Sequence, residues 1–233
     1  MRIDKSLDGG YTVPKGWMQM FETILFDFDG TVYDTVEGIT KSVQYALRLN
    51  GMDGELEELR CFAGPPLLEM FMEKYGVDEQ TAARLTADFR TRYNPIGVFE
   101  SRVFPGVKEL LLELRAAGKK IGLATSKPQR LAEQLLRREK MEDLFDLICG
   151  AGDNGSGNAK WQVVQRAMEG LAADPAATIL VGDTKYDVAG AHRCGIPCVG
   201  VSYGYALPGE MEKSGVDAMA ADCRALRDFL LQT

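Results

Sequence analysis

From Thr23 the chain strings apolar residues together without alternation, Ile24-Leu25-Phe26, then meets Asp27-Phe28-Asp29 and breaks at Gly30-Thr31. A short apolar run bounded by a turn signal predicts a strand buried on both faces, here Thr23 to Phe28. Beyond it the period changes. Val36, Ile39, Val43, Ala46 and Leu47 share one helical face and Gly51 follows as a stop. Further helical stretches are expected at about 55–60, 66–75 and 79–93. No strand-like alternation interrupts them, so the chain returns through "NPIGVFESRVFPG" from what reads as an all-helical insertion.

After Pro105 a strand–helix rhythm sets in. Val107, Leu110, Leu111 and Leu114 mark a helix that Gly118 closes before the strand "KIGLAT". A helix over 128–139 precedes "LFDLICG", one over 159–172 precedes "TILVGD", and one over 187–194, closed by Gly195, precedes "PCVGVSYG". Strands alternating with helices imply a parallel sheet with both faces covered. The predicted fold is therefore α/β: a doubly wound, mostly parallel, Rossmann-like core over 20–35 and 100–233, with a four-helix cap inserted over 36–99. Residues 1–19 show no clear periodicity and are expected to form a loosely ordered N-terminal extension.

Composition narrows the function more than the fold. Forty-five per cent hydrophobic and 26% charged residues suit a globular chain with ample core. A net charge of −7 and a pI near 4.9 argue against binding a nucleic acid polymer or an anionic membrane. No apolar run approaches the ~18 residues of a membrane span and the first 20 residues lack a signal-peptide centre, so a cytoplasmic location is expected. Five scattered cysteines do not read as a disulfide framework, and Cys194 with Cys198 makes a weak zinc case.

Three separate apolar strands end in groups that handle oxyanions or metals: Asp27 and Asp29, Thr125 and Ser126, and Asp183. In an open α/β sheet, ligands bind beyond the carboxyl ends of the strands, so these groups can converge. Lys160 joins them from the first turn of a helix expected to start near Asn158, where backbone N–H groups also favour an anion. Such a set suits phosphoryl transfer. Asp27 would attack phosphorus, and Asp29 would protonate the leaving alkoxide and later activate water. Lys160, Thr125 and Ser126 would hold phosphoryl oxygens, as would backbone N–H groups of the Phe28-Asp29-Gly30 turn. A carboxylate and a phosphate dianion repel each other, so a divalent cation is implied; Mg²⁺ suits oxygen ligands, with Asp27 and Asp183 supplying carboxylates. By chance D-x-D-G-T arises on the order of 10⁻³ times in a chain this long.

These residues resemble the haloacid dehalogenase (HAD) superfamily, in its phosphatase branch with a helical cap after the first strand. The matches are Asp27-Phe28-Asp29-Gly30-Thr31, Thr125 in "ATSK", Lys160, and "GDTKYD" with Asp183 and Asp187. The resemblance spans about residues 21 to 231. It implies an HAD-like core, Mg²⁺ bound by Asp27, Asp183 and the backbone carbonyl of Asp29, and Asp187 supporting that site. "GPPL", "ATSKP" and "GVSYGY" look most like the phosphoglycolate phosphatase and 5′-nucleotidase-like group. The glycine-rich segment before Lys160 offers no other cation, which leaves Lys127 as the alternative should Lys160 point away.

The expected function is Mg²⁺-dependent hydrolysis of a small phosphorylated metabolite through an aspartyl-phosphate intermediate, by a monomer or homodimer. A sugar phosphomutase of the same superfamily is one alternative, and a non-catalytic phospholigand sensor is another. Carbon–halogen hydrolysis is disfavoured because that branch resembles phosphatases with a non-acidic residue where Asp29 stands. His192, the only histidine, falls inside a predicted helix away from the strand ends and reads as structural. Arg92 and Tyr93, closing the last cap helix, are candidates for reaching a substrate, though charged helix ends are usually solvated.

Overall fold

The computed structural model of the chain describes residues 3–7, 11–14, 21–152 and 159–231, the first two segments as backbone only. Two compact units emerge, one of residues 1–32 with 103–233 (unit 1) and one of residues 33–102 (unit 2).

Strands β1 (Ile3–Leu7) and β2 (Tyr11–Pro14) pair antiparallel. No element was expected there. The rest of the expected extension lies outside the described residues. Strand β3 (Thr23–Phe26) follows, two residues shorter than its apolar run suggests: Asp27 still bonds to β8, and the turn opens at Phe28, whose carbonyl accepts from the Thr31 and Val32 N–H groups. Then come β4 (Tyr33–Asp34), α1 (Val36–Leu49), α2 (Leu67–Tyr75), α3 (Glu79–Tyr93) and β5 (Arg102–Val103). The remaining chain runs α4 (Val107–Ala116), β6 (Lys120–Pro128), α5 (Gln129–Arg138), β7 (Leu147–Ala151), α6 (Lys160–Leu171), β8 (Thr178–Gly182), α7 (Lys185–Arg193), β9 (Cys198–Val201), α8 (Glu210–Lys213), β10 (Ala218–Ala220) and α9 (Cys223–Leu231).

In unit 1 six strands form one parallel sheet in the order β10-β9-β8-β3-β6-β7. The chain builds outward from β3 to β7, crosses back to β8, and builds outward again. That is the doubly wound plan, and the reversal falls between β3 and β8. Period-two alternation decides the layers. Leu25, Ala124, Leu180 and Cys198 pack with Val163, Val164, Ala167, Val188 and Ala191 from α6 and α7. The alternate positions Ile24, Phe26, Ile179 and Val181 are equally buried, while α4 and α9 pack against β6, β10 and one another. Residues hydrophobic on both faces of a strand can only be satisfied by helices on both sides.

Unit 2 holds its own apolar core, with Val43 and Leu47 of α1, Leu85 and Phe89 of α3, and Phe62 against Phe71 at 4.8 Å between ring centroids. Gly76, at φ 64°, ends α2, and Asp78 caps α3 by accepting from the Thr81 N–H at 2.7 Å. The helix expected at about 55–60 is instead a 3₁₀ segment, Glu58–Phe62. That stretch buries only Leu59 and Phe62, too little apolar surface to hold a longer helix.

Candidate active site

The switch point of the sheet brings the strand ends together. The Asp27 N–H donates to the Val181 carbonyl at 2.9 Å, so the residue after β3 is pinned to β8. Asp183 sits two residues past Val181, just beyond β8. Carboxylate oxygens of Asp27, Asp183 and Asp187, all buried, lie within 4.8 Å of one another. Like charges at that distance need a counterion. Lys160, on the first turn of α6, supplies one: its Nζ lies 2.5 Å from Asp27 Oδ1 and 2.9 Å from Asp187 Oδ1. It also donates to the Ala124 carbonyl at 3.3 Å. Lys160 therefore points into the site, whereas Asn158, where the helix was expected to begin, lies outside the described residues.

Each carboxylate is held. Asp183 Oδ2 accepts from the Tyr205 N–H at 2.7 Å and Oδ1 from the Thr31 hydroxyl at 3.3 Å. Asp187 Oδ2 accepts from the Thr184 hydroxyl at 2.9 Å and from the N–H groups of Thr184 and Asp183. Its other oxygen faces Lys160, so Asp187 anchors the lysine as well as bordering the acidic cluster. Gly30, at φ 83°, lies so close to Asp183 that a Cβ there would stand 2.0 Å from Oδ2. Only glycine lets the turn and the carboxylate share that space.

Burial pushes the Asp27 carboxyl up to about 6; Lys160 works against the shift and Asp187 adds to it. Burial also raises Asp183 well above the carboxylate range, with Asp187 and Asp27 reinforcing it. For Lys160 burial opposes the charge, but Asp187 and Asp27 outweigh it and hold the ammonium above the usual lysine range. The site thus carries more negative charge than its lysine balances. All three clustered donors are oxygens, which fits a hard divalent cation such as Mg²⁺, with Asp27 and Asp183 as holders and Asp187 beside them.

The other expected residues take distinct places. Asp29 turns to Lys127, whose Nζ stands 3.0 and 3.3 Å from its two oxygens and 5.6 Å from the centre of the buried Phe28 ring. Lys127, first considered only as a substitute for Lys160, is a second cation of the site, 6% exposed. Thr125 is buried and its Oγ1 accepts from the Lys127 N–H at 3.2 Å. Neither Thr125 nor half-buried Ser126 caps α5, because β6 stays extended through Pro128. Thr31 entered the sequence reading only as the last residue of its motif, without its bond to Asp183, and the Tyr203–Tyr205 segment was missed as part of the site. "GVSYGY" was noticed only for its resemblance.

Arg92 and Tyr93, the two candidates for reaching a substrate, are engaged elsewhere, and His192 takes the structural place expected of it. His192 Nε2 pairs with Asp217 Oδ2 at 2.7 Å. Arg92 binds both oxygens of Glu100 at 2.8 and 3.0 Å and the Ser42 hydroxyl at 3.0 Å, within unit 2. Tyr93 is buried and stacks on Phe89. The five cysteines are free thiols.

The family model of the haloacid dehalogenase-like hydrolases matches residues 24–201, the span that contains the acidic cluster and both lysines. The chain is a haloacid dehalogenase-like hydrolase. Within that family it is similar to a 5′-nucleotidase of Pseudomonas aeruginosa, 39% identical over 90% of this chain and 96% of that one. It is also similar to the tyrosine-protein kinase PtkA of Mycobacterium tuberculosis, 33% identical over 90% of this chain and 72% of the relative. Among solved structures, a predicted phosphatase from Clostridium acetobutylicum superposes with a TM-score of 0.88 at 36% identity, over 92% of this chain and all of that one. The relatives place this hydrolase among the family's phosphatases, which are phosphoric monoester hydrolases. Among the described residues no helix is long and apolar enough to cross a membrane.

Proposed function

We propose that the chain hydrolyses a small phosphomonoester, nucleoside 5′-monophosphates first among them, in a Mg²⁺-dependent reaction with Asp27 as the nucleophile. The observation that carries this reading is the placement of Asp27 beside Lys160 and within 4.8 Å of Asp183 and Asp187. The similarity to the 5′-nucleotidase supports the substrate class.

Bound Mg²⁺ would supply the positive charge that lets a carboxylate approach a phosphate dianion. The chain's own residues account for the rest. An Asp27 oxygen bonds to phosphorus as the ester P–O bond breaks, and Asp29 gives its proton to the departing alkoxide. Asp29 then takes a proton from the water that attacks the aspartyl phosphate; inorganic phosphate leaves and the Asp27 carboxylate is restored. Lys160 fixes Asp27 for attack, and Asp187 fixes Lys160. Thr125 accepts a bond from Lys127, which leaves its O–H to donate to a phosphoryl oxygen. Lys127, already against Asp29, places a second positive charge where the leaving group departs.

The test is a panel of nucleoside 5′-monophosphates, phosphoglycolate, sugar phosphates and pyrophosphate with Mg²⁺, read as phosphate release. Asp27→Asn should lose at least about 10³-fold in rate. A wild-type chain inactive across the panel overturns the proposal. Isomer formation without phosphate release would mark a phosphomutase, and ATP-dependent labelling of a tyrosine peptide would favour the chemistry named for PtkA.

A further inference from the structure

The segment following β9 reaches the acidic cluster: Gly204 and Tyr205 meet Asp183 directly, and Tyr203 reaches it through Thr31. The Tyr203 hydroxyl donates to the Thr31 carbonyl at 3.2 Å. Gly204 packs so closely on Asp183 that a Cβ there would stand 2.2 Å from the Asp183 Cβ and 2.5 Å from Oδ2. The Tyr205 N–H donates to Asp183 Oδ2 at 2.7 Å, while the Thr31 hydroxyl reaches Oδ1. One carboxylate is therefore gripped on both oxygens, and both grips trace back to residues 203–205.

Tyr203 is built to hold its end of this arrangement. Its ring leans on Phe104, with centroids 4.9 Å apart, and its oxygen accepts from the Cys223 thiol at 3.7 Å. With that lone pair used, the O–H is directed to Thr31. Burial, then Cys223, raises the phenol above its ordinary range, so the hydroxyl stays a donor throughout the physiological pH range.

We propose that Tyr203 is a positioning residue for the metal site, acting through Thr31 to fix the Asp183 carboxylate in the orientation that receives Mg²⁺. The inference rests on the metal reading above and adds a residue that does not itself face the ion. Outer partners of metal-binding carboxylates set ligand direction, and losing one typically costs about 10- to 100-fold in metal affinity.

Calorimetric titration of Mg²⁺ into the metal-free chain, without substrate, tests it. Tyr203→Phe keeps the ring on Phe104 and should weaken Mg²⁺ binding about tenfold, with near-UV circular dichroism unchanged and kcat restored at saturating Mg²⁺. Thr31→Val should weaken binding as well. The double variant should bind no worse than Thr31→Val alone, because the two residues act in series. A Tyr203→Phe chain that binds Mg²⁺ like wild type, or a double variant whose losses simply add, overturns the inference. A wild-type chain that takes up no Mg²⁺ overturns the proposed function and this inference with it.

Discussion

Asp27 bears opposing demands: the nucleophile proposed above must be ionised, yet burial lifts its pKa to about 6 against the pull of Lys160. In the metal-free chain the folded state therefore binds a proton more readily than the unfolded one between pH 4 and 6. The sign follows directly. The stability tied to this group is fully present below the unfolded pKa and is lost as pH rises through 6. Asp27→Asn has no such titration. In EDTA its melting temperature should gain on that of wild type as pH rises from 4 to 7, by several degrees. Parallel melting curves for the two proteins across that range would refute the assignment. At this scale the sequence was largely legible: Asp27, Asp183 and Lys160 stood out because their chemistry is concentrated at strand and helix ends. Lys127 was not, for a geometric reason. The apolar pattern stops at Thr125, whereas β6 continues extended to Pro128 and so sets Lys127 two residues on, toward Asp29.

At the scale of elements, α6 and α7 set how deeply Lys160 can reach. They cross at Gly190, where a Cβ would stand 2.4 Å from Lys160 Cγ and 3.2 Å from the Trp161 N. The glycine looks costly within a helix, since alanine there is ordinarily better by about 1 kcal/mol. It is required because the neighbouring helix presents the stem of a lysine whose ammonium is tied to two carboxylates. Gly190→Ala should therefore lower kcat by about 10²-fold, the scale on which a displacement near 1 Å acts, and overpacking at the crossing should lower the melting temperature as well. A variant that melts lower yet keeps the wild-type kcat would mean that the crossing serves packing alone. The strand–helix rhythm that builds this crossing was readable from periodicity. Strand β10 escaped notice because Ala218-Met219-Ala220 carries little β preference, and parallel pairing with β9 holds it in place. The 3₁₀ segment at Glu58–Phe62 escaped for the converse reason, a polar run with good helix formers but little to bury.

For the whole molecule, the acidic cluster is a stability liability that a ligand can reverse. Three buried carboxylates face one ammonium in a chain already at net charge −7, and each of these groups belongs to unit 1. Mg²⁺ that binds only the folded chain stabilises it by about 2.7 kcal/mol at a hundred times its dissociation constant. For a chain of this size that corresponds to a rise in melting temperature of about 5–10 °C over EDTA. Asp183→Asn separates charge from architecture. The neutral amide escapes the cost of burying a charge and the repulsion with Asp187 and Asp27, which together favour the uncharged form of Asp183, and its oxygen can still accept from the Tyr205 N–H. In EDTA the variant should therefore melt no lower than wild type, yet gain nothing when Mg²⁺ is added. A variant that keeps the Mg²⁺ shift would place the ion elsewhere. One that melts lower in EDTA would show that Asp183 contributes to the fold through its bonds more than it strains it through its charge.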